Sequence, residues 1–152
     1  MTAEPRTIAL NELPDVLASH FQHKKEITCY IGSNAATPTA SLETLTAAVK
    51  ARAPRLPFLK MVHLLLQGPA PHVEPGLQDR IMTYSIFSGA EVRQAANDGR
   101  AYYLPCTLAN LESLIGKGRG YEPDVAIFKV SRNPFTGELS LGLSVEALHT
   151  AI

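Results

Sequence analysis

The stretch Phe87–Pro105, FSGAEVRQAANDGRAYYLP, reads as a strand end, a tight turn, a helix, a glycine stop and a second strand. Ser88 or Gly89 can cap the helix, Glu91 sits in its first turn, and Gly99 after Asp98 ends it. A strand, a short helix and a second strand joined this tightly favour parallel strands with their tips side by side. In parallel sheets ligands bind beyond those tips. Arg93, Asn97 and Arg100 fall on the helix or at its end and read as polar groups of its solvent face.

The remaining segments agree with that reading. Asn11–Phe21 has the spacing of an amphipathic helix, with Leu13, Val16, Leu17 and Phe21 on one face and Pro14 in its first turn. Glu26–Ile31 (EITCYI) is a strand rich in β-branched and aromatic residues. A small-residue loop, Gly32–Pro38, leads to a helix that opens near Ser41 and carries Leu42, Leu45 and Val49. Phe58–Leu66 (FLKMVHLLL) is a nearly continuous apolar run, the pattern of a strand buried on both faces. After a Pro- and Gly-rich loop over 67–79 come a strand Ile81–Phe87, a helix Thr107–Ile115, a buried strand Asp124–Val130, a further strand Glu138–Leu143 and a final turn of helix over Val145–Ala151. Strands alternating with short helices define a single α/β domain with a mostly parallel sheet, an N-terminal helix within 1–25 and an α/β core over 26–147.

Several segments carry candidate chemistry. The loop GSNAATP follows a strand and opens a helix, so its backbone N–H groups are suited to an anion or a carbonyl oxygen. It lacks both the dinucleotide fingerprint and the lysine of a phosphate loop, and an ordinary strand-to-helix turn explains it as well. GKGRG at Gly116–Gly120 follows a helix, which favours a chain reversal over a phosphate site. The histidines do not join a cysteine or carboxylate at metal-ligand spacing, so no metal or other cofactor is expected. Cys106, just past Pro105 at a strand tip, and His63 remain candidates for nucleophilic chemistry, but there is no GxSxG elbow.

Fourteen Lys and Arg balance 14 Asp and Glu, which argues against a nucleic-acid partner recognised through a broad basic field. The apolar runs are too short to cross a membrane, and MTAEPRTIAL lacks the pattern of a secretory leader. Two cysteines, Cys29 and Cys106, read as reduced thiols of a cytoplasmic protein.

Taken together, SIFSGAEVRQAANDGRAYYLPCTLANLESLI and DVAIFKVSRNPFTGELSLGLSVEA resemble the N-terminal half of the acetyl-CoA hydrolase/CoA-transferase family. IGSNAATP and MVHLLLQG fit the same pattern, and the four segments occur in family order over roughly Ile27–Ala147. The resemblance implies a CoA-transferase-like sheet, coenzyme A as substrate, and transfer of CoA between short carboxylic acids. It places the nucleophilic glutamate in a C-terminal half. No glutamate of this chain, Glu138 and Glu146 included, sits in a matching motif. The expected partners are an acyl-CoA or short carboxylate, and a C-terminal-half subunit or further copies of the chain. One wall of the cleft would come from Gly32, Ser33, Asn34, His63, Phe87, Ser88, Tyr103 and Pro105. Ser33 and Asn34 would donate to a carboxylate or thioester oxygen, while Phe87 and Tyr103 would limit acyl size. The alternatives are a non-catalytic binding module on the same fold, and a self-sufficient thioesterase using Cys106 or His63.

Overall fold

A computed structural model describes residues 6–152. Five parallel strands form the sheet: β1 (Glu26–Ile31), β2 (Phe58–His63), β3 (Ile81–Ser85), β4 (Ala101–Tyr103) and β5 (Val125–Ile127). Their order is β4-β3-β2-β1-β5, so the chain steps outward from β1 in one direction and then crosses to its other side.

The register explains which residues pack together. Cys29, Met61, Thr83, Ala101 and Val125 form one row, and Tyr30, Val62, Tyr84, Tyr102 and Ala126 form the next row on the opposite face. The first face lies under α1 (Leu13–His20), α2 (Thr39–Lys50) and α3 (Ala90–Asn97), whose Leu17, Leu42, Leu45, Val49, Val92 and Ala95 join Ile27, Leu59 and Met61. Each of the larger aliphatic side chains buried here contributes about 1.5–3 kcal/mol by leaving water. The second face is covered by the shorter α4 (Leu111–Ile115) and α5 (Leu148–Ala151), through Leu111, Ile115 and Leu148. Against the same cluster Tyr84 stacks on Tyr102 at 5.3 Å and meets Tyr121 edge-on at 5.1 Å.

Several elements are shorter than the sequence suggests. The helix expected over Asn11–Phe21 is a 3-10 turn, Leu10–Glu12, followed by α1, with the Glu12 carboxylate accepting from the Ala9 N–H at 2.7 Å. Parallel pairing along the apolar run ends at His63, and Leu64–Leu66 continue as a loop tip held by the β1 and β3 loops. Asp124–Val130 contributes only three half-buried residues, because β5 is an edge strand paired to β1 alone. Leu139–Ser140 (β7) pairs antiparallel with Ser131–Arg132 (β6) in a separate exposed hairpin, so Glu138–Leu143 adds nothing to the main sheet. No helix of the described residues is long and apolar enough to cross a membrane.

Candidate functional site

The carboxyl ends of all five strands lie along one edge, where Ile127, Ile31, His63, Ser85 and Tyr103 form the last register row. The strand order reverses between the neighbours β1 and β5, and the crevice beyond such a reversal is the usual ligand position in an open parallel sheet.

The β1 loop is built around close approach. A Cβ on Gly32 would stand 2.5 Å from Phe128 Cβ and 2.7 Å from the Ala36 carbonyl, and the Gly32 N–H donates to Ile127 O at 2.9 Å. Only glycine lets the β1 and β5 tips close to this distance. Ser33 is wholly buried; its hydroxyl accepts the Leu64 N–H at 2.9 Å and lies 3.4 Å from Ile31 O. The Asn34 N–H donates to Leu65 O at 2.8 Å, and Thr37 Oγ1 accepts from Gln67 N–H at 3.1 Å. The loop is thereby laced to the tip of β2.

The crevice also contains a carboxylate that no local pattern of the sequence marks. Asn34 Nδ2 donates to Glu146 Oε1 at 2.5 Å, across 112 residues of chain, and the Ala35 N–H donates to Ser144 Oγ at 3.1 Å. Both Asn34 (φ 50°) and Glu146 (φ 44°) adopt the left-handed conformation, which is uncommon for residues other than glycine. Burial raises the Glu146 carboxyl above its ordinary value, opposed by the hydrogen bond from the Asn34 amide. Glu146 Oε2 is buried without a hydrogen-bond partner, and so is the hydroxyl of wholly buried Tyr30. Burial, and then the charge of Glu146, pushes that hydroxyl up in turn.

The other expected site residues divide into two groups. His63 faces inward under the loop over 67–79 and has no exposure, so a ligand cannot reach it without movement of that loop. Phe87, Tyr103 and Pro105 are exposed, and Ser88 is half-buried beside them. Tyr103 and Pro105 line an open groove at the β4 edge with Cys106, Thr107, Asn110, Ser113 and Leu114. Of the expected residues, Gly32, Ser33 and Asn34 thus gather at the β1 tip, beside a Glu146 that was not among them, and Tyr103 and Pro105 gather at the β4 edge.

No family model matches the chain. Over 86 residues it is 34% identical to the 4-hydroxybutyrate coenzyme A transferase of Clostridium kluyveri, covering 57% of this chain and 20% of that protein. Over 123 residues it is 29% identical to a succinyl-CoA:acetate/propanoyl-CoA:succinate CoA transferase of Fasciola hepatica, covering 81% of this chain and 25% of that one. The chain thus spans a minor part of the curated relatives it matches. Among solved structures, RipA from Yersinia pestis superposes with a TM-score of 0.66 at 19% identity, covering 95% of this chain and 37% of RipA. A point mutant of RipA gives 0.64 at 20% identity. The similarity to CoA transferases read from the ordered motifs is present in sequence, and the α/β fold it implied is the one observed.

Proposed function

We propose that this chain forms one wall of an acyl-CoA cleft in a CoA transferase or acyl-CoA hydrolase that moves CoA between short carboxylic acids, and that a further polypeptide supplies the catalytic glutamate. The observation that carries this reading is the sequence similarity to two CoA transferases, which extends over 81% of the chain in one case. The arrangement supports it: amide and hydroxyl groups gather beyond the tips of a parallel sheet, where an oxyanion or carboxylate would be stabilised.

The partner is a subunit or segment resembling the C-terminal half of such enzymes, or further copies of this chain. Exposed apolar side chains favour association: Phe135 is 95% exposed and Leu143 97%, with Leu108 and Leu139 both at 60%. Coenzyme A enters as substrate, with no resident cofactor. The formal net charge of zero supports a role without nucleic acid, and the proposed setting is the cytoplasm.

The test is to assay the pure chain with acetyl-CoA and butyrate or succinate, alone and with a C-terminal-half polypeptide. Turnover only with the second polypeptide is expected; robust turnover by the chain alone would overturn the dependence. A second reading, a binding module without catalysis, is favoured by one feature. The donors of Asn34 and Ala35 are already engaged by Glu146 and Ser144. Calorimetric titration distinguishes the two, since tight binding of a metabolite unrelated to CoA or carboxylates would support the module.

A further inference from the structure

Glu146 stands in the crevice in the way a bound carboxylic acid would. Its Oε1 takes the amide proton of Asn34, the neighbouring N–H of Ala35 is taken by Ser144 of the same segment, and Oε2 lies buried without a partner. The unpartnered, wholly buried Tyr30 hydroxyl lies within the influence of the same charge. A carboxylate drawn partly out of water costs stability unless donors meet it, and here one side-chain amide bonds it directly. The contact also joins two residues, Asn34 and Glu146, in left-handed backbone conformations that are uncommon away from glycine. A strained contact between residues this far apart in sequence sits at the crevice where the topology directs ligands. The Lys50–Glu74 and Arg52–Asp79 pairs are by contrast exposed surface contacts.

We infer that the Glu146 carboxylate is an intramolecular occupant of a carboxylate-binding subsite formed by Asn34 and the Ala35 N–H, and that a free carboxylic acid must displace it to bind. The segment Ser144–Ala147 then works as a latch: closed, it spends the donors of the β1 loop on the chain itself; open, it releases them. The latch needs no covalent step. Ligand affinity falls by the fraction of molecules in the open form, so any change that removes the occupant while keeping the donors tightens binding. The choice of short carboxylic acids as the competing ligands rests on the CoA-transferase reading above; the latch itself rests on the geometry.

The experiment is calorimetric titration of acetate into the whole chain and into Glu146→Gly, a substitution that deletes the carboxylate and suits a residue at φ 44°. The expected result is acetate binding about tenfold tighter, or more, in the variant. Glu146→Gln keeps an acceptor for Asn34 and is expected to behave like the unaltered chain. Adding Asn34→Ala to Glu146→Gly is expected to abolish the gain. Ser144→Ala loosens the same segment without touching Glu146 and is expected to give a smaller gain, which covers the case in which Glu146→Gly fails to fold. Acetate affinity unchanged in both Glu146→Gly and Ser144→Ala would overturn the latch, as would a gain that survives Asn34→Ala. A parallel titration with coenzyme A separates the two ideas: its failure alone counts against the CoA-transferase reading, and a missing acetate gain alone counts against the latch.

Discussion

The imidazole rings of His63 and His72 meet edge to face, with centroids 5.8 Å apart and planes at 89°, and both are fully buried. His63 ends β2; His72 lies in the 3-10 turn Pro71–Val73, which packs against α2 and β3. None of their four ring nitrogens bonds to a protein group. Burial lowers His63 to about 3, with His72 adding to the effect, and burial lowers His72 to about 4. The folded chain therefore holds both rings neutral where the unfolded chain, titrating near the ordinary value of 6.5, takes up protons. Stability from this pair is complete above pH 6.5 and is lost as pH falls toward 4, by roughly 2 kcal/mol per ring at about pH 5. Glu146, raised rather than lowered, acts in the opposite sense. Urea unfolding at pH 7, 6 and 5 measures the slope. A flat profile, or an unchanged slope in His63→Leu/His72→Leu, would refute this account.

That pair also shows how far a sequence can be read. His63 ends a strand, as the apolar run FLKMVHLLL requires, since that run leaves little choice of element. Its neighbour His72 comes from a Pro-rich loop whose path is set by packing, so no spacing rule joins the two. The core rows were legible for the same reason as His63: Cys29, Met61 and Ile81 lie in short apolar runs. The edge was not, since the strand pattern of Asp124–Val130 cannot reveal that β5 has one neighbour. At the site, Asn34 was marked by its strand-to-helix loop, whereas Glu146 was not, because its role depends on a contact spanning 112 residues.

Gly32→Ala is expected to destabilise the chain by about 1–3 kcal/mol, the usual cost of forcing an extra carbon into a packed site. The clash is steric: the new Cβ meets Phe128 Cβ at 2.5 Å and Ala36 O at 2.7 Å. Phe128→Ala retains that Cβ and so should not rescue it, whereas Phe128→Gly removes one of the two contacts. Chemical denaturation of the single and double variants checks the pattern, and rescue by Phe128→Ala would show that the ring, not the backbone approach, sets the constraint.

Asp124 ties the start of β5 to β1: Oδ2 accepts the Thr28 N–H at 2.9 Å, and Oδ1 pairs with Lys24. The two contacts should differ in worth. Removing a carboxylate from a part-buried backbone N–H costs about 1–3 kcal/mol, while the Lys24 side chain is 51% exposed and such a pair contributes about 0–1 kcal/mol. Asp124→Ala should therefore lower the unfolding midpoint much more than Lys24→Ala, with Asp124→Asn between them. Equal losses from Asp124→Ala and Lys24→Ala would mean that the ion pair dominates.

The two thiols should react very differently. Cys29 has no exposure in the middle of β1, and burial, with the charge of Asp124 adding to it, pushes its thiol up to about 12. Thiolate is the reacting species, so Cys29 should be inert in the folded chain. Cys106 is half-buried in the groove with Tyr103 and Pro105, its thiol 3.3 Å from Thr107 O, and a small reagent can approach it from that side. Titration with a disulfide reagent at pH 8 is expected to release one equivalent quickly and the second only after denaturation. Cys106→Ala should remove the fast equivalent. The same reaction on fresh, unlabelled chain probes the β4 groove, because a ligand or second polypeptide seated against Tyr103 and Pro105 should slow the labelling of Cys106. Protection by coenzyme A or by a C-terminal-half polypeptide is the outcome expected from the CoA-transferase reading; a labelling rate unmoved by either would remove the β4 groove from the site.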